Sequence, residues 1–263
     1  MTSRRRRTRA TIKSSIVTLV LAMGVWALFS SGVLSTGADA TTSAGSATTD
    51  TGAPGTTPRP NVTTSAQTPA TTGPSRASSP TADTARTMLA ALPVKGKAPA
   101  TGYDREADFG TPWLDLDHNG CDTRNDVLAR DLTDIVRQGP CKVLSGDLVS
   151  PYTGGEIAFV RGNTTSTLVQ IDHVVALENA WRTGAQQLTQ ADRQALANDP
   201  ENLFAVDGHS NSQKRSFDAA TWLPAAKDFR CEYVEHQVAV KAKYRLWVVP
   251  AERDAMERVL TTC

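Results

Sequence analysis

The sequence contains no Cys-x-x-Cys, no His-Glu-x-x-His, no internal repeat and no excess of basic charge. Each absence removes a class. Without Cys-x-x-Cys elements, the four cysteines do not read as a structural zinc set. Without His-Glu-x-x-His there is no two-histidine helical face for a zinc protease. Without a repeat, the chain is not an array of stacked units. Charge must be divided along the chain. Of 28 basic and 27 acidic residues, six basic and one acidic lie in the first forty, leaving 22 against 26 and a net charge of −4. Proteins that hold a polyanion by bulk electrostatics are usually basic. Beyond residue 40, this one needs a local basic patch or a bound cation to do so.

Long apolar runs are also scarce, with one exception near the start. "MTSRRRRTRATIK" is a basic leader, "SSIVTLVLAMGVWALFSSGVL" carries no charge, and "STGADA" ends small-x-small at Ala38 and Ala40. That order is the layout of a secretory signal peptide over residues 1–40. The alternative is an uncleaved membrane anchor, since the apolar stretch is close to the roughly 18 residues at which a span becomes feasible. Either way the remainder is expected to be exported, secreted or held at the cell surface, with no stable membrane insertion once the leader is cleaved. Residues 41–85 are Thr, Ser, Ala, Gly and Pro with few charges and no aromatics. Such a stretch cannot bury enough apolar area to offset chain entropy, and reads as a solvated tether.

Residues 86–263 remain as the folded domain. Cys121, Cys141, Cys231 and Cys263 all fall within it, and an even count in an exported chain reads as two disulfides. Cys121–Cys141 with Cys231–Cys263 is favoured among the alternative pairings, because each closes a short local loop. Patterning predicts an α+β domain with little sheet. Residues 112–136 open as an acidic loop and turn helical, with Val127, Leu128, Leu132, Ile135 and Val136 on one apolar face. "CKVLSGDLVSPYTGGEIAFV" reads as two strands about a turn, and "STLVQIDH" as a third. "VVALENAWRTGAQQL" and "TQADRQALANDP" read as helices, then "ENLFAVDG" as a strand. Helices are also expected from "SNSQKRSFDAATW", "AKDFRCEYVEHQVAVKAKYRL" and "PAERDAMERVL", the last with Pro250 at its start.

The strand "STLVQIDH" ends on two titratable groups, Asp172 and His173. After the helical insertion come Asn202 at the head of the "LFAV" strand, then Asn211 and Lys214 at the head of the next helix. Taken singly, each has a plain structural reading: a satisfied histidine, or a helix or turn cap. Their order resembles the HNH endonucleases of the ββα-metal superfamily. It is most similar to exported bacterial HNH-like proteins related to the C-terminal domain of the GmrSD restriction enzymes. "GCDTRNDVL", "PYTG", "DHVVALENAW", "ANDPENLFAVDG" and "WLPAAKDFRCEY" carry the resemblance, from about Tyr103 to Cys263.

The resemblance implies a ββα-metal (HNH) core with a helical insertion and flanking helices, built around one divalent cation, Mg²⁺ with Mn²⁺ or Ca²⁺ as alternatives. Phosphodiester hydrolysis needs a nucleophilic water, a base for its proton, and positive charge against the developing phosphorane. By resemblance His173 is the base, and an unperturbed imidazole pKa of about 6.5 lies near working pH. Asp172 and Asn211 hold the cation, since hard oxygen donors suit Mg²⁺. Asn202 pins the loop that aims the imidazole. Lys214 and Arg215 face substrate phosphate, and the partner is nucleic acid, DNA before RNA. Nothing looks like a helix-turn-helix, so little sequence specificity is expected. His118, His209 and His236 fit this pattern less well. Many relatives place Gly-Asp after the lysine, where this chain has Arg215-Ser216.

A second candidate site is "DLDHNGCDTRND". Asp115, Asp117, Asn119 and Gly120 match the opening of a calcium loop, but twelfth in that frame stands Asp126 instead of a bidentate Glu. The plain reading is a disulfide-braced acidic turn. Bound calcium here would favour a rival function: a non-catalytic calcium-binding cell-surface module that retains the HNH fold.

Overall fold

A computed structural model describes residues 79–263 of the chain. The expected leader at 1–40 and most of the expected tether lie outside the described residues. In order come α1 (Ala82–Ala91), α2 (Arg105–Phe109), α3 (Thr123–Asp131), β1 (Thr133–Gln138), β2 (Lys142–Val149), β3 (Glu156–Val160) and β4 (Val169–His173). Then follow α4 (Leu177–Arg182), α5 (Gln190–Ala197), β5 (Leu203–Asp207), α6 (Gly208–Lys214), α7 (Arg230–Lys243) and α8 (Pro250–Thr261). Among the described residues no helix is long and apolar enough to cross a membrane.

The domain is mixed α+β with two small antiparallel sheets, β1-β2-β3 and β4-β5. The β4–β5 ribbon positions everything that follows. Its strands pair Asp172 with Phe204 and His173 with Leu203. Side chains alternate across a strand, so Val169 and Ile171 join Leu203 and Ala205 in the core under α3 and the larger sheet. On the opposite face Phe204 and Val206 pack with Tyr152, Tyr233 and Val238 under α1, α7 and α8. Covered on both faces, the ribbon needs near-continuous apolar sequence. That is why "LFAV" at 203–206 is entirely buried.

Helix ends follow local chemistry. Thr189 caps α5 through the Asp192 amide, Asp122 caps α3 through Asn125, and Asp207 caps α6 through Ser210. Proline opens α8 at its first position, where its missing N–H has no partner to lose. Both disulfides form as favoured, Cys121–Cys141 and Cys231–Cys263. Lys241 and Glu252 pair at 3.0 Å with almost no exposure and tie α7 to α8.

Two expectations are corrected. Ile135 and Val136 do not continue the helix: α3 stops at Asp131, and Thr133–Gln138 pairs with β2. β-Branched Thr133, Ile135 and Val136 suit that strand better than a helix interior. The domain also begins before residue 86. Thr81 caps α1, and Ala85 is wholly buried in the core with Leu89. Ala85 and Leu89, a turn apart, dock the helix together with Ala82 and Met88, although composition had assigned its first four residues to the tether.

Candidate active site

The end of β4 carries Asp172 and His173 in opposite directions. The imidazole Nε2 lies 2.8 Å from the Ala197 carbonyl oxygen at the end of α5. A carbonyl can only accept, so Nε2 carries the proton and Nδ1 is left with the lone pair. Trp113 stacks on the ring, with centroids 6.3 Å apart and planes 14° from parallel. Burial, together with the Arg105 and Lys214 charges, pulls the imidazole down to a pKa of about 3, while the Ala197 bond acts in the opposite sense. The ring is therefore neutral at physiological pH, with an unprotonated lone pair on Nδ1.

Asn202 is the clamp behind this arrangement. Wholly buried, it accepts the Val175 amide at 2.9 Å and donates to the Leu196 carbonyl at 3.2 Å. It thus fixes the chain two residues after His173 and one residue before Ala197. Both the ring and its hydrogen-bond partner are held by one side chain.

On the other face, Asp172 accepts from the Tyr152 hydroxyl and pairs with Lys214 at 3.1 Å. Burial first, then the neighbouring carboxylate, raises the Tyr152 pKa well above its usual value, so the phenol stays a donor. Lys214 also donates to the His173 carbonyl at 2.8 Å and has no exposed surface. This corrects the expectation that Lys214 faces substrate phosphate. Its ammonium is spent on balancing a buried carboxylate, because an unpaired charge there is costly.

Asn211 is held by Gln170, which accepts its Nδ2–H at 2.7 Å, so its carbonyl oxygen remains available. The Asp207 carboxylate takes the Ser210 amide at 2.7 Å, so the first turn of α6 is capped from within the chain. An open pocket of about 400 Å³ brings Asp172, His173 and Asn211 together, with Arg105, Glu178 and Arg215 also on its walls. Arg215 is exposed, at φ +50° just past α6. Glu178 is half-buried, 3.9 Å from Arg182. Of the remaining histidines, His236 lies in the core against Phe204, and exposed His209 contacts Gln213 instead of entering the pocket.

Among the described residues no group of three or more His, Cys, Asp or Glu side chains gathers as a metal site. The pocket presents a different donor set: the Asp172 carboxylate, already paired with Lys214 and Tyr152, the Asn211 amide oxygen, and the Glu178 carboxylate on the wall. That set fits a hard cation that keeps several of its own waters, as Mg²⁺ does. The acidic loop fits less well. Asp115 accepts the Asn119 and Gly120 amides, Asp117 accepts Asn119, and Asn119 accepts the Cys121 amide at 2.7 Å. At Asp115, Asp117 and Asn119 these oxygens brace a turn tied down by Cys121–Cys141.

Residues 122–259 match the family described as GmrSD restriction endonucleases, C-terminal domain. The chain belongs to this family. A similar protein is an "Uncharacterized secreted protein" of Arthroderma benhamiae, 36% identical over 192 residues, which span 72% of this chain and 90% of that one. No solved structure matches the chain. The family match takes in Asp172, His173, Asn202, Asn211, Lys214 and Arg215, but begins after Arg105 and Trp113. Sequence reasoning missed both of those residues, and also Tyr152. Tyr152 was signalled only by its place in "PYTG", and nothing local marked Arg105.

Proposed function

We propose that this member of the GmrSD C-terminal-domain family is an exported, metal-dependent HNH-type endonuclease that hydrolyses nucleic-acid phosphodiesters, DNA before RNA, with little sequence specificity. One observation carries the reading. Asp172, Asn211 and His173 line a single open pocket, delivered by a strand–strand–helix unit of β4, β5 and α6. We read that unit as the ββα-metal core. The secreted relative supports export.

In this reading Asp172 and Asn211 hold one divalent cation, Mg²⁺ by preference. When bound, such an ion supplies positive charge against the developing phosphorane and the leaving oxygen. The neutral His173 takes the proton of the attacking water at Nδ1, while the Ala197 carbonyl keeps Nε2 protonated and the ring aligned. Asn202 positions this base without touching substrate. Lys214 holds the Asp172 carboxylate in place, and Arg215 reaches for backbone phosphate.

The test uses the full chain with supercoiled plasmid and Mg²⁺, Mn²⁺ or Ca²⁺ in turn. Metal-dependent nicking is expected, falling by about 10²–10⁴-fold in His173→Ala, the usual share of a general base. Equal cleavage by both proteins, or none by either with any ion, sinks the proposal.

A further inference from the structure

Arg105 stands on the wall of the same pocket as Asp172, His173 and Asn211, yet comes from a segment ahead of the family match. Its backbone is firmly placed. Asp104 caps α2 by accepting the Glu106 and Ala107 amides at 3.0 and 2.9 Å. Phe109 is buried in the core with Val175, Leu177 and Leu196. Arg193 donates to the Asp108 carbonyl at 2.8 Å, and the Asn198 side chain accepts the Leu114 amide at 3.0 Å. The segment thus runs as a strap, with Arg105 at the pocket and Trp113 on the imidazole.

Stability gives no reason for an arginine here. A cation in the first turn of a helix opposes the helix dipole, and among the described residues no carboxylate pairs with Arg105. Nor does one pair with Arg215 on the same pocket. Of the two carboxylates present, Asp172 is balanced by Lys214 and Glu178 faces Arg182. Two guanidiniums without partners therefore line the mouth of a site in a domain whose net charge is otherwise negative. That is the arrangement an oxyanion requires, because guanidinium forks bind phosphate oxygens well.

We propose that Arg105 is a substrate ligand that grips the phosphate seated in this pocket, with Arg215 as the second cation, so that the strap at 104–113 is an obligatory part of the site. This rests on the endonuclease reading above. The full chain and Arg105→Ala are compared on plasmid and on bis(p-nitrophenyl) phosphate, whose only phosphate is the one cut. A loss of about 10²–10³-fold is expected on both substrates, as for removing one donor to a developing oxyanion. Arg105→Lys should recover part of it, and added guanidinium should partly restore Arg105→Ala, which no merely structural role predicts. Activity within about threefold of the parent, or a loss confined to plasmid, overturns the proposal while leaving a His173-dependent nuclease standing. If the parent cleaves neither substrate with any ion, the endonuclease reading fails, and Arg105 is judged by binding to a labelled oligonucleotide at several salt concentrations. A salt slope lower by about one in Arg105→Ala supports a phosphate contact, and an unchanged slope overturns it.

Discussion

Two parts of this molecule are rich in side-chain oxygen, and they orient it in different ways. In the loop at 115–121 the carboxylates and the amide oxygen accept hydrogen bonds from amides two to five residues away. In the pocket, Asp172 and Asn211 are held by groups more distant in sequence, namely Tyr152, Lys214 and Gln170. Those partners fix the two side chains from distant segments: both Asp172 oxygens are engaged by Tyr152 and Lys214, and Gln170 holds the Asn211 amide nitrogen. The lesson concerns lone pairs more than composition. A run of Asp and Asn satisfies its own backbone, whereas a cation site needs oxygens whose orientation is set from elsewhere.

The sharpest way to separate the two regions is to remove the charge that supports one of them. Lys214→Met leaves Asp172 buried without its partner and should cost about 3–5 kcal/mol in urea unfolding. Adding Asp172→Leu should recover much of that stability while leaving the enzyme inactive. A loss under about 1 kcal/mol in the single variant would show that the pair does not support the site. Next comes Asn202→Ala, which frees the chain on both sides of the base. Cleavage should fall about 10–100-fold, by analogy with residues that orient a metal site without binding the metal. The loss should appear in kcat more than in KM, and a pure KM effect would remove the positioning role.

Acidification should act on the two regions with opposite sign. His173 titrates at about 3 in the folded chain, below its unfolded value of about 6.5. Between those limits the unfolded state binds more protons, so stability falls as pH falls, by up to about 1.4 kcal/mol per pH unit. Asp126 beside the loop is raised above its usual value, first by burial and then by Asp117 and Asp122, so protonation on the acid side relieves the folded state. Melting temperatures from pH 7 to pH 4 should therefore drop less steeply in His173→Gln and slightly more steeply in Asp126→Asn. Parallel curves would remove the contrast. The smallest effect is expected from Asp115→Asn with Asp117→Asn: plasmid cleavage within about threefold, and a stability change near 1 kcal/mol from weakened turn bonds.

Much of the fold was legible because its signals are local. The ends of α5 and α8, the Pro-Tyr-Thr-Gly-Gly turn, and the buried strands at 169–173 and 203–207 all sit where capping residues and apolar runs put them. The misses have physical causes. Leu132, Ile135 and Val136 keep helical spacing, yet pairing with β2 outweighs it. α1 straddles the composition boundary at residue 85, and its place is set by docking on α7 and α8. At the site, Asp172, His173, Asn202 and Asn211 could be chosen by order and kind. Lys214 reads from sequence as a ligand of substrate phosphate, since nothing near it in sequence announces a buried carboxylate 42 residues earlier.

By itself the sequence determined the element order from β2 to α8, the cysteine framework and the residue types at the end of β4, because caps, periodicity and loop closure act over a few residues or along one chain segment. Only the tertiary structure decided which nitrogen of His173 holds its proton, which carboxylate Lys214 neutralises, and that a strap from before the family match brings Arg105 to the pocket. Those outcomes depend on donors and charges that meet across distant segments, and no local pattern records which partner a buried group will find.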